Sequence, residues 1–175
     1  VVSCEKAAGV EPEGGKKKKK APPPADVYKV GLSDTVLFPE GGGQPSDTGT
    51  VGGVAATRVD NVDGVAVHSL RAPVEVGSSV EVVVDWERRW DHATQHSAQH
   101  LVTAVLVDWI GAPTLSWNLG VSTSFIEFGP PFDAATHLGE LERKVNAAIV
   151  EGHAVTAEWH SDAAVNGGDA PGLRQ

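Results

Sequence analysis

Methionine is absent from all 175 residues, and cysteine occurs once, as Cys4. A lone cysteine excludes an internal disulfide and fits a reducing compartment. With Val1 as the first residue, the lack of methionine leads to the expectation of a fragment or an incomplete gene model. No apolar run approaches the ~20 residues of a membrane span. The opening Val1-Val2-Ser3-Cys4-Glu5 lacks the pattern of a secretory signal. A cytoplasmic location is therefore expected. Basic residues are also few: 14 Lys and Arg stand against 23 Asp and Glu, and five of the fourteen form the single run Lys16–Lys20. An acidic body is a poor general binder of nucleic acid, because binding leans on phosphate neutralisation. Any RNA contact must then be local, at Lys16–Lys20 or at Arg88 and Arg89. The lysine run reads more simply as a solvated loop.

Several chemistries are missing as well. No Gly-x-Ser-x-Gly elbow is present, and no Gly-Lys-Ser or Gly-Lys-Thr follows the glycines at 41–43, which excludes a nucleotide P-loop. Cys4 has no local feature that would activate a thiolate.

What is there begins with His96-Ser97-Ala98-Gln99-His100. Residues four apart on a helix share a face, so both imidazoles could grip one metal ion, most often zinc. Zinc proteases of the His-Glu-x-x-His type carry their general base at the second position, where this chain has Ser97, so that mechanism is excluded. The bland alternative is a pair of structural or surface histidines. His92 adds an imidazole one turn earlier. A second constellation, Phe38-Pro39-Glu40-Gly41-Gly42-Gly43-Gln44-Pro45, exposes backbone amides and permits close approach of another chain. Gln44 there can both donate and accept hydrogen bonds. Its bland alternative is a tight turn in a β domain.

Along the chain, residues 9–26 are low complexity and read as a flexible loop. From Val27 to Trp86 the signal is β. Strands are expected at Val27–Val30, Thr35–Phe38, Ala56–Val59, Val65–His68 and Val80–Val84, with a hairpin turn at Asn61-Val62-Asp63-Gly64. Short strands with close turns suggest a small barrel or compact sheet. A helix capped by Asp91 is expected from His92 to Ile110, buried along Leu101, Ala104, Val105 and Ile110. A strand follows at Ser124–Phe128, and a second helix runs from Asp133 or Ala134 to Val150. A last strand spans His153–Trp159, and the tail from Asn166 to Leu173 is a loop.

Together, the glycine-rich segment and the histidine helix resemble the editing domain of alanyl-tRNA synthetases and of their free-standing relatives, the AlaX-type alanyl-tRNA editing proteins. The resemblance also covers Val1–Cys4, Asp34–Gly49, Val84–Ala104, Ser116-Trp117 and Val145–Ile149. It implies an α+β fold: a glycine-rich β-barrel over 1–87, then an editing module of two-layer α/β type over 88–175. That module is similar to the second additional domain of threonyl- and alanyl-tRNA synthetases, and it is incomplete at its C-terminus. The implied activity is a metal-dependent aminoacyl-tRNA deacylase acting in trans on tRNA(Ala) mischarged with serine or glycine. A small pocket cannot strongly reject serine over alanine, so translation fidelity needs a second, hydrolytic sieve. The resemblance makes His96 and His100 two zinc ligands. It implies catalytic roles for Gln44 and Asn146, and substrate contacts for Gly41, Gly42, Gly43, Gln44, Arg88 and Arg89. The family's further Cys-x-x-x-His ligands do not occur in this sequence. The expectation is truncation, with feeble or absent metal binding. Two alternatives stand beside this reading: a piece of alanyl-tRNA synthetase, which would use ATP only as the full protein, and an inactive RNA-binding or partner-binding remnant.

Overall fold

The computed structural model describes residues 1–7, 26–120, 123–156 and 159. The expectations for the lysine loop and for the tail after His160 fall outside these residues. The described chain runs β1 (Ser3–Lys6), β2 (Tyr28–Gly31), β3 (Gly49–Val51), β4 (Val54–Val62), β5 (Val65–Leu70), β6 (Val82–Val84), α1 (Trp86–Ile110), β7 (Thr114–Asn118), β8 (Phe125–Phe128) and α2 (Ala134–Glu151).

The first six strands form one antiparallel sheet in the order β1-β2-β5-β4-β3-β6. The expected barrel does not close, because among the described residues the edge strands β1 and β6 do not pair with each other. Instead the Val1 ammonium donates to Ser78 O at 2.8 Å and Gly77 N donates to Val1 O, so a loop stands where a closing ladder would run. The sheet still curls around one core of Val30, Leu37, Val51, Ala56, Val59 and Leu70, all buried. Alternation of small β-branched residues with polar ones builds this surface. The β4–β5 hairpin forms where the sequence placed it, with Gly64 N donating to Asn61 Oδ1 at 2.9 Å.

Three sequence expectations are corrected here, and one strand is new. Thr35–Phe38 is not a strand. Its backbone is claimed by side chains: Leu37 N donates to Thr35 Oγ1, Phe38 N donates to Asp47 Oδ2, and Val36 O accepts from Arg89. The first helix starts six residues before the expected His92, at Trp86. Asp85 is its cap, accepting from Arg88 N, while Asp91 lies inside the helix. Asp85 wins because Thr48 holds it twice, Thr48 Oγ1 donating to Oδ2 and Asp85 N donating to Thr48 O. Residues 153–156 form no strand, and the rest of that expected element, except Trp159, lies outside the described residues. Finally, β7 goes unforeseen, because Thr114-Leu115-Ser116-Trp117-Asn118 is short and follows a proline.

The two helices and the β7–β8 ribbon form a second core around Leu106, Ala112 and Leu141. Leu106 and Ala112 are its fully buried members, Leu106 lying one residue beyond the expected Val105. The ribbon pairs Trp117 with Ile126 and Asn118 with Phe125.

His68 gives the sheet a pH response. It is fully buried in β5, where Nδ1 donates to Val30 O at 3.0 Å and Nε2 accepts from Thr35 Oγ1 at 2.9 Å. Both roles need the neutral ring. Burial lowers its pKa below the ordinary 6.5, outweighing the Val30 bond, which raises it. Between the folded and ordinary values the unfolded chain binds more protons, so stability is complete above 6.5 and falls as the pH drops below it. Urea midpoints should therefore decline between pH 7.5 and pH 5, and the decline should flatten in His68→Gln. Equal midpoints at both pH values in the parent chain would dismiss His68 as the sensor.

Candidate functional site

The glycine segment folds into a two-residue turn. Gly41 N donates to Gln44 O at 3.2 Å and Gln44 N donates to Gly41 O at 3.0 Å. Gly42 and Gly43 at its tip take positive φ values of 57° and 78°. The turn delivers Gln44, nine-tenths buried, to the face of α1. There His96 Nδ1 lies 2.9 Å from Gln44 Oε1. An amide oxygen only accepts, so Nδ1 carries the proton and the lone pair of the neutral ring is left on Nε2. Metal-binding histidines are held in the same way by an acceptor on the other nitrogen. Burial lowers the His96 pKa, with repulsion from His100 adding to it, so the ring is neutral at pH 7.

The two imidazoles stack, with centroids 4.8 Å apart and planes at 25°. Trp117 of β7 packs against both, 4.8 Å from His96 and 6.4 Å from His100. Trp117 also lies against Gly43, where a β-carbon would come within 2.7 Å of the indole. The site is therefore a sandwich of glycine turn, histidine pair and indole. Trp117 was legible in the sequence only as part of the resemblance; its partnership with Gly43 needs the fold.

The remaining expected residues sit differently. Arg89 binds Asp47, a fully buried carboxylate, from Nε at 3.0 and 2.8 Å and also from Nη2, and Nη2 donates to Val36 O. Arg88 Nε donates to Ser46 O at 3.2 Å. Both arginines thus tie the glycine loop to α1, Arg89 by its whole guanidinium edge and Arg88 by Nε alone. Asn146 is exposed on α2, at the rim of a groove with Val102, Ile126, Phe128, Leu141 and Val145. It does not share the Gln44–His96 contact.

Zinc wants four ligands, or three with water. The donor chemistry of His96 suits it, since the ring is neutral and its Nδ1 is held. Among the described residues, however, no group of three His, Cys, Asp or Glu could hold a metal. Here the histidine pair fits two positions of a set and leaves the set incomplete. Nor is any helix among the described residues long and apolar enough to cross a membrane.

No protein-family model matches the chain. Individual proteins do. It is 48% identical over 122 residues to alanyl-tRNA editing protein Aarsd1 of Bos taurus, a match covering 70% of this chain and 28% of that protein. Its identity to the Mus musculus protein of the same name is 44% over 150 residues, covering 85% and 35%. Alanyl-tRNA editing protein AlaX-M of Methanosarcina acetivorans is 31% identical over 147 residues, covering 74% of this chain and 58% of that protein. The chain spans about a third of the length of the first two relatives.

Proposed function

The chain belongs to the free-standing, AlaX-type family of alanyl-tRNA editing proteins, and from that membership we propose that it carries the editing site of a cytoplasmic deacylase acting on tRNA(Ala) mischarged with serine or glycine. The observation that carries the reading is the 2.9 Å contact between Gln44 and His96, which joins two motifs 52 residues apart. The reaction is hydrolysis of the aminoacyl ester: water adds to the carbonyl carbon, the bond to the ribose oxygen breaks, and that oxygen leaves as a hydroxyl. Gln44 holds the His96 ring in one tautomer and orientation. Trp117 fixes the ring stack from the other side. The glycine turn lets the indole of Trp117 pack directly against the backbone beside the stack. Zinc held by His96, His100 and donors outside the described residues would polarise the ester and acidify water.

Serine release from Ser-tRNA(Ala) tests this directly. His96→Ala should abolish release, and Gln44→Leu should lower it by about 10- to 100-fold, as loss of an outer partner does. Release unaffected by both substitutions would overturn the assignment. The alternative reading is a binding role without hydrolysis. It predicts retained tRNA binding with no serine release, with or without added zinc.

A further inference from the structure

Two large aromatic side chains stand in solvent at the start of α1. Trp86 and Trp90 are each 63% exposed, and their ring centroids lie 6.1 Å apart with the planes at 32°. Being four residues apart, they share one face of the helix. Their neighbours on the helix are charged or small. The row on one side holds the exposed carboxylates of Glu87 and Asp91, which with Asp85, Arg88 and His92 line a cavity of about 310 Å³. The row on the other side holds Arg89, committed to Asp47, and Ala93. The hot spot of a protein interface sits inside a ring of contacts that excludes water. A pair of indoles bordered by carboxylates lacks that surround, whereas a flat heteroaromatic ring needs only the indole face.

We propose that Trp86 and Trp90 form a stacking platform for bases in the unpaired 3′ end of the tRNA, with base amino groups turned towards Glu87 and Asp91. The inference rests on the editing reading and adds to it a surface that leads the substrate's end to the histidine pair. The chain carries a net charge of −9, so phosphate neutralisation contributes little and affinity must come from contacts that net charge does not set. Base–aromatic stacking is such a contact. The carboxylates then select among bases. Adenine and cytosine carry exocyclic amines that donate, and Glu or Asp accepts from the amine of cytosine, while uracil has no such amine. The same carboxylates repel phosphates, which turns the backbone to solvent and the bases to the helix. The placement on α1 also suits. Trp90 precedes His96 by about 9 Å along the axis and a third of the way round the helix. About four nucleotides cover that path at roughly 3.4 Å each when stacked. That is the length of the unpaired end of a tRNA, which closes on cytosine, cytosine and adenine.

The test measures binding separately from hydrolysis. The RNA tetranucleotides ACCA and UUUU are titrated into the chain by calorimetry at several salt concentrations. Trp86→Ala and Trp90→Ala should each weaken ACCA about tenfold. The slope of log affinity against log salt should stay the same, because no phosphate contact is lost. Both positions are exposed and alanine is the best helix former, so these variants keep the fold. Trp90→Phe retains a ring and should lose less. UUUU should bind the parent chain more weakly than ACCA, and Glu87→Ala should narrow the gap. Unchanged ACCA affinity in the double alanine variant overturns the inference, as do equal affinities for ACCA and UUUU or failure of the parent chain to bind ACCA. A parent dimer that the double variant dissociates, with RNA affinity unchanged, also overturns it and makes the platform a contact between copies. If ACCA binding follows the expected pattern but Ser-tRNA(Ala) is not hydrolysed, the platform stands and the hydrolytic reading falls.

Discussion

Asp47→Ala should destabilise the chain by about 3 kcal/mol and dismantle the Gln44–His96 contact in whatever folded protein remains. Asp47 is fully buried and satisfies several groups at once. It accepts from Phe38 N at 2.7 Å and takes the Arg89 guanidinium. Its own amide donates to Phe38 O at 3.0 Å. The glycine turn is thus tied at both flanks, residues 38 and 47, to a point on α1 seven residues before His96. Removing the carboxylate leaves Arg89, a quarter exposed, without its buried partner, so the cost belongs at the lower end for broken buried pairs. The loss is read from urea midpoints. The loosening is read from the His96 imidazole resonances, which should lose the signature of a held Nδ1 proton. Asp47→Asn, which still accepts from Phe38 N, should lose less. Equal stability of the alanine variant and the parent would mean that the loop is held by other contacts.

This clamp also shows where sequence reading succeeds and where it stops. The hairpin at Asn61–Gly64 and the helix after Asp133 were legible because their signals are local: an Asp-Gly turn in one, a capping carboxylate before an amphipathic run in the other. The start of α1 was misplaced because Asp85 and Asp91 are equally good caps in isolation, and only Thr48, 37 residues away, decides between them. Thr35–Phe38 has strand composition, yet Asp47 and Arg89 take over its hydrogen bonds, and no local pattern reveals that. The tie of Arg89 to Asp47 is invisible to local pattern for the same reason. In the site, the histidine spacing and Gln44 were visible as motifs, while their contact was not. Trp117 owes its role to the β7–β8 ribbon, and β7 itself went unforeseen.

Gly43→Ala should disable the site far more than its backbone strain alone would explain, and Gly53→Ala supplies the control. The two glycines have nearly identical backbones, with φ of 78° and 77°. An alanine at either position carries the left-handed penalty of about 1–2 kcal/mol. Their surroundings differ. A β-carbon at Gly53 meets nothing within 4 Å, whereas one at Gly43 falls 2.7 Å from Trp117 Cζ2 and 2.9 Å from Cε2. Indole atoms held in a ring cannot yield singly, so the whole side chain must shift, at about 1–3 kcal/mol for overpacking. Any shift of Trp117 disturbs its 4.8 Å packing on His96. The expected result is a modest, equal share of lost stability in both variants, with an additional loss in Gly43→Ala. Only that variant should show a displaced indole resonance for Trp117 and lose serine release. If both variants keep the parent Trp117 resonance and the same stability, the glycine turn is a backbone requirement alone, and close packing of the indole against it plays no part in assembling the site.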